Sequence, residues 1–414
     1  MSLHKLLGVA ASLALLCDGR SAGAQTPAPA SGRSGPRSFD LAIKHVGLSI
    51  GNSPVHTGLR LNWRDEGLIR INGINVTLWS PGPSPRGAVN GLSLGLVAPG
   101  AANLNGIVAG GAAIRAERRL TGIGVGGFAV ISHGAMAGLM LGGLAVTADS
   151  NITGITAGTL AVMSRGALAG LSVAAGSVIA ARGARGIILA GLATVVQQRL
   201  TGITFGGLAV VTEGPLTGVA VSGLGTAARG NLTGVAASGL ATFSSGRMRG
   251  LNVGGLAVIA ETGASGVTAA GLAVVSSGDV GGITVGGGAV MARGSISGIT
   301  AAGLGVVADG HVRWVALSAG TLTATGEATG LLVGGYRVRA PRLTGVALSA
   351  IQTSAAQMRG IAVGGYNYYR QQSGIAIGIY NDAGRLQGVQ IGLINRARNN
   401  PSGFQWLPLV NAHF

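Results

Sequence analysis

Gly202-Ile-Thr-Phe-Gly-Gly-Leu-Ala-Val-Val-Thr-Glu-Gly-Pro-Leu-Thr217 is one period of a sixteen-residue rhythm that runs through most of this chain. Glycines open successive units at 106, 122, 138, 154, 170, 186, 202, 218, 234, 250, 266, 282 and 298, each a full period after the last, and Trp314 takes the next place. Further on the step shortens to 15 and then 14, with openings at Gly330, Gly345, Gly360, Gly374 and Gly388. A period of this length is the mark of a stacked repeat, in which each unit buries its face only against its neighbours.

Numbering the opening glycine as offset 0, offset 1 is Ile, Leu or Val in all thirteen regular units and offset 8 is Val, Ile or Thr. Offset 3 is apolar and offset 6 is mostly Leu. Positions 1 and 3 alternate, as do 6 and 8, and the two pairs are out of step across the glycines at 4 and 5. The pattern predicts two short strands joined at a glycine corner. Ile203, Phe205, Leu208 and Val210 are expected to point inward, Gly206-Gly207 to turn the chain, and Thr212 to Pro215 to form a wet second corner. Ala209 and Val211 are left outward. The prominence of β-branched residues favours strand, and glycine at this density opposes helix.

Charge marks the second corner. Between Gly106 and Arg313 every arginine falls at offsets 9 to 15 and every acid at 11 or 13. Stacking at about 4.8 Å per coil over eighteen steps gives a rod on the order of 85 Å. The fold class is therefore all-β, a parallel β-solenoid of about 16-residue coils. The alternative is an outer-membrane β-barrel, taking offset 14 through offset 9 of the next unit as one tilted strand. Against it stand the parity slip, the lack of alternating long and short turns, and Pro408 in the terminal strand.

Around the repeats the chain divides into a signal peptide (1–24), a flexible linker (25–38), an irregular N-terminal β cap (39–105), regular repeats (106–313), and shortened repeats with an aromatic C-terminal cap (314–414). The leader has a basic start at His4 and Lys5, an apolar run Leu6 to Leu16, and a small-residue cleavage site at Ala22-Gly23-Ala24, which implies export to the periplasm, outer membrane or cell surface. The run is too short to span a bilayer. Cys17 is the only cysteine. Leu15 and Leu16 precede it where a lipidated leader carries small residues, so ordinary cleavage is expected in preference to lipidation.

Gly374-Ile-Ala-Ile-Gly-Ile-Tyr-Asn381, Gly388-Val-Gln-Ile-Gly-Leu-Ile-Asn395 and the ending Leu407-Pro-Leu-Val-Asn-Ala-His-Phe414 resemble the bacterial surface-repeat family first named from leptospiral surface proteins. The resemblance is best from Gly360 to Phe414. It implies an exported, surface-associated protein with no assigned activity.

Reaction chemistry is sparse. His45, His56, His133, His311 and His413 are scattered, without metal-ligand spacing. Asp65-Glu66 is the only adjacent acidic pair and reads as a solvated loop rather than a glycosidase pair. Gly122-Ile-Gly-Val-Gly-Gly127 fits a dinucleotide fingerprint formally but lacks a strand-turn-helix context. The expectation is a non-enzymatic envelope or surface protein with a structural or adhesin-like role and no cofactor or metal; a secreted glycan-active enzyme on a β-helix is the minor alternative. The net charge of +17 makes Arg165, Arg199, Arg229, Arg247 and Arg293 candidate contacts for envelope glycans, lipopolysaccharide or other surface proteins. Nucleic acid is not expected, because the aromatics gather at the far end of the chain.

Overall fold

A computed structural model describes residues 38–414. The stretches expected to be a signal peptide and a linker, with Cys17, lie outside the described residues as far as residue 37. Each regular coil contributes one long strand and one short strand. In the quoted period these are Leu200–Gly206 and Ala209–Thr212.

Stacking is parallel and in register. The long strand lies between Gly183–Ala190 and Leu216–Ser222, with Gly202 level with Gly186 and Gly218. The short strand lies between Ala193–Val196 and Gly225–Ala228. Backbone pairing continues through the corners, where Leu208 N donates to Leu192 O at 2.7 Å and Leu224 N to Leu208 O at 2.8 Å. Polar backbone groups are thus satisfied by the coil before and the coil after. The architecture is the parallel β-solenoid. A barrel of hairpins would pair its neighbours antiparallel, whereas here each regular strand meets the equivalent strand of the next coil in parallel, which removes the barrel alternative.

Both ends of the stack change direction. Ser38–Ile43 folds back antiparallel on Val46–Gly51 through Lys44 and His45, both at positive φ. Trp406–His413 runs antiparallel to the last long strand, with Gly388 opposite His413. Each of these strands occupies an edge that would otherwise be a template for further parallel coils.

The inward face differs from the sequence expectation in a specific way. Val210 is fully buried, as expected, but Ile203, Phe205 and Leu208 are about half exposed, while Thr204, Thr212 and Leu216 are buried. Even offsets 2, 4, 8, 10 and 14 point in, and the chain keeps one parity throughout. Only the Leu at offset 6 breaks it, because it sits on the corner between the strands and is turned out. The apparent slip between pairs 1, 3 and 6, 8 comes from counting that corner leucine as a strand residue.

Small side chains dominate the interior: mostly Thr, Ser or Ala at offset 2, Gly, Ser or Ala at 4, Val or Thr at 8, and Ala, Ser or Thr at 10. The larger core residues stand at offset 14, for example Leu168, Leu200, Leu216 and Leu232. Thr212 is likewise no corner residue; its hydroxyl donates to Gln198 O from inside. The corner itself begins at Glu213. Ala209 and Val211 do face outward and are partly covered.

The opening glycines form a column of their own. Gly202 has φ 119° and Gly218 φ 120°. A Cβ at either would collide with the carbonyl oxygen of the glycine one coil before. Trp314 occupies this column with φ 88°, level with Gly298 and Gly330.

Candidate functional site

The outward side of the long strands is the most regular surface of the molecule. From Gly47 to Gly388 there are 23 coil openings, counting Trp314, and the residues at offsets 1 and 3 of every coil are Ala, Val, Leu, Ile or Phe. None of these 46 positions is polar. Many are strongly exposed, such as Ile107, Ile155, Ile203, Phe205, Ile283 and Ile299. Inside, twelve of the 23 offset-2 residues are polar or charged, among them Ser172, Thr204 and Asn252, all buried. The outward columns are therefore more apolar than the inward one, the reverse of a sheet that simply faces water.

The extent of this face is unusual for an isolated chain. Twenty-two coil steps of about 4.8 Å and a strand width of about 10 Å give roughly 1,000 Å². The largest apolar patch of a typical monomer is about 300–600 Å² and often functional. Two shallow grooves lie along it, one beside Val285, Ala301, Leu317 and Val333, the other beside Val363, Ile377, Ile391 and Val410.

The face has two different rims. On one side runs the corner column of offset 6, mostly Leu, from Leu144 to Leu304. Aromatics join this side toward both ends: Trp63 stacks on Trp79 at 6.1 Å, and Tyr366, Tyr380 and Trp406 follow one another at 6.3 Å. On the other side, immediately before the opening position of the next coil, stand Arg185, Arg249, Arg313 and Arg359, all exposed. Register places them in one column, four, four and three coils apart, each level with Thr or Ser of the preceding or following coil. Sequence reasoning missed this column because it grouped all arginines of offsets 9 to 15 into one corner.

The five arginines singled out from the sequence lie at the charged corner that adjoins this rim, at offsets 11 and 13, and all are exposed. Arg165 pairs with Asp149 at 3.0 Å and Arg229 with Glu213 at 3.3 Å, each to the coil before. His133 Nδ1 lies 3.1 Å from the same Asp149. Arg199, Arg247 and Arg293 form no ion pair among the described residues, and the backbone N of Arg247 donates to Asn231 Oδ1. The structure thus places all five along one edge, two of them already engaged by carboxylates.

Polar chemistry inside the stack is structural. Arg60 Nη1 donates to Asp65 Oδ1 at 2.9 Å and to Asn75 Oδ1 at 2.8 Å. Burial pushes the Arg60 guanidinium below its ordinary range, and the Asp65 carboxylate partly restores it. Asp65 is therefore buried rather than a solvated loop residue; Glu66 is the exposed member, beside Arg64. His56 is also buried, its Nε2 2.9 Å from Gly47 O. In the shortest coils a ladder replaces the small core: Asn367 Nδ2 donates to Asn381 Oδ1, and Asn381 Nδ2 to Asn395 Oδ1, each at 2.7 Å. Burial pushes the Tyr369 hydroxyl well above the usual tyrosine range. Among the described residues no group of three or more His, Cys, Asp and Glu is placed to hold a metal ion, and no helix is long and apolar enough to cross a membrane.

No family model, curated protein or solved structure matches this chain. Fold and surface together define a class: a capped parallel β-solenoid whose outward long-strand columns at offsets 1 and 3 are apolar from end to end and whose charges, the buried Arg60–Asp65 pair apart, gather mostly along one edge.

Proposed function

We propose that this chain is an exported, non-enzymatic repeat protein of a bacterial envelope or surface, with a structural or adhesive role exercised through its sides. The observation that carries this reading is the unbroken apolar column pair over 23 coils. A surface repeated every coil serves extended contact; a reaction centre needs one constellation of unlike groups held at one place. The leader-like stretch Met1 to Ala24 supports export, and the resemblance of Gly360 to Phe414 to surface repeats supports the location. Envelope glycans, lipopolysaccharide or other surface proteins are the partners this reading proposes. The charged corner with Arg165, Arg199, Arg229, Arg247 and Arg293 supplies the anion contacts, and Arg199, Arg247 and Arg293 are the three whose guanidinium groups form no ion pair among the described residues.

Cell fractionation tests the reading. The processed chain is expected in the periplasm, in the outer membrane or on the surface; a chain that keeps Met1 to Ala24 and stays in the cytoplasm would overturn it. The purified protein is expected to scatter as an elongated particle.

A further inference from the structure

We propose that the apolar long-strand face lies on an anionic lipid surface, with the Arg185, Arg249, Arg313 and Arg359 column reaching the headgroup phosphates along one rim. This deepens the envelope reading above and rests on it for the place where such a surface is met.

Four observations converge. First, the face is uncharged at all 46 positions and has an area of about 1,000 Å², beyond what a free monomer usually shows to water. Second, the solenoid meets the main requirement of contact with lipid. Along the stack its strand and corner backbone groups are paired to neighbouring coils, so the face presents side chains, and the unpaired edges are confined to the terminal strands Ser38–Ile43 and Trp406–His413. Third, the rims have the composition of an interfacial element. Trp63, Trp79, Tyr366, Tyr380 and Trp406 lie toward the leucine rim, and aromatic rings with a polar end favour the headgroup level. The arginine rim can keep its stems against the face while its guanidinium groups reach phosphate. Fourth, the charge decides between occupants. Residues 38–414 carry 25 Lys and Arg against 11 Asp and Glu, a net +14.

That last point separates lipid from a second copy of the chain. The face is large enough for a dimer, since a stable complex buries about 800 Å² per partner. Two copies pressed together, however, would bring together two rods of the same strong sign. An anionic surface is complementary to that charge and draws juxtamembrane basic residues to it.

Vesicle flotation of the full chain provides the test, with phosphatidylcholine vesicles and with vesicles containing phosphatidylglycerol. The chain is expected to float with the anionic vesicles and to be released as salt is raised. Replacing Arg185, Arg249, Arg313 and Arg359 by Gln is expected to lower partition about fivefold for each arginine removed. Ile187→Glu with Ile203→Glu, both at exposed positions, is expected to abolish flotation while leaving the circular dichroism spectrum and thermal midpoint unchanged. Failure to float with anionic vesicles would overturn the proposal, as would flotation that ignores both sets of substitutions. A dimer seen by scattering that the Ile→Glu pair dissolves would also overturn it, by assigning the face to a second copy. Fractionation to the cytoplasm would remove the envelope location alone, whereas loss of flotation by the purified chain would remove the lipid-facing surface alone.

Discussion

Arg60 and Asp65 form an ion pair sealed inside the N-terminal coils, with Nη1 2.9 Å from Oδ1 and side chains 0% and 1% exposed. Asp65 is the hub of that cap. It also accepts from Asn62 Nδ2, Asn75 Nδ2, Thr77 Oγ1 and the backbone N of Gly100. Breaking one side of a buried pair leaves the other charge uncompensated, which costs about 3–5 kcal/mol. Asp65→Asn is expected to unfold the coils between Val55 and Gly110 before the regular repeats, read as early hydrogen exchange confined to that end. Uniform exchange along the whole stack would contradict the role of Asp65 as the cap's anchor. Because a repeat stack melts in nearest-neighbour fashion, exchange is the better readout than a single midpoint.

The single inward parity makes a sharp distinction among four neighbours. Val210→Asp and Thr212→Asp each bury a carboxylate in the thin interior and are both expected to destabilise by more than about 3 kcal/mol. Ile203→Asp and Leu208→Asp place it on the outer side and are expected to stay within about 1 kcal/mol of the parent. Denaturant unfolding of the four variants checks the order. The opposite ranking would restore the inward assignment of offsets 1, 3 and 6.

Trp314 stands where the column requires glycine. Its φ of 88° places an L-residue in a region costing about 1–2 kcal/mol, and its side chain is largely exposed. Trp314→Gly is therefore expected to stabilise the chain by about 1 kcal/mol, measured by thermal unfolding. Gly218→Ala is expected to do the reverse and by a larger margin, since its Cβ would meet the Gly202 carbonyl oxygen. Gly281→Ala, at an ordinary φ and with only the Ser297 hydroxyl near the added Cβ, at 3.3 Å, is the matched control.

Acid sensitivity has an identifiable contributor at the charged edge. Arg342 Nη1 donates to Glu327 Oε1 at 2.8 Å, and this hydrogen bond holds the Glu327 carboxyl below its ordinary range. A depressed carboxylate stabilises the fold above its unfolded value and loses that contribution as pH falls through the folded one. The parent is expected to be slightly more heat-stable than Glu327→Gln near neutral pH, and the gap to close in acid once the folded-state carboxyl is protonated. The pair is exposed, so the gap should also shrink with salt. A gap that widens on acidification would contradict the assignment.

Much of the architecture was legible without coordinates. Thirteen equal steps from Gly106 to Trp314 imply stacked coils, and the density of Val, Ile and Thr implies strands. The glycines at 206 and 207 do lie where the long strand ends and the chain turns. The confinement of Arg165, Arg199, Arg229, Arg247 and Arg293 to one edge was legible too, because charge cannot enter so thin a core unpaired. The Arg185 to Arg359 column was also present in the sequence, visible only once the position before each unit opening is separated from offsets 11 to 13. Asp65 was not legible. Its burial depends on Arg60 of its own coil and on Asn75 and Thr77 arriving from the next.

By itself, the sequence determined the period, the strand content, the glycine column and the charged edge, since each is a property of one unit repeated. Only the tertiary structure decided which side of the long strand faces in. Alternation shows that offsets 1 and 3 share a face, but a period of two is silent about which face is covered. The turn at Gly206-Gly207 settled it by laying the short strand, with Val210 and Thr212, over the Thr204 and Gly206 side of the long strand. Ile203, Phe205 and Leu208 are left outside, a choice made by contact between strands and not by alternation within one.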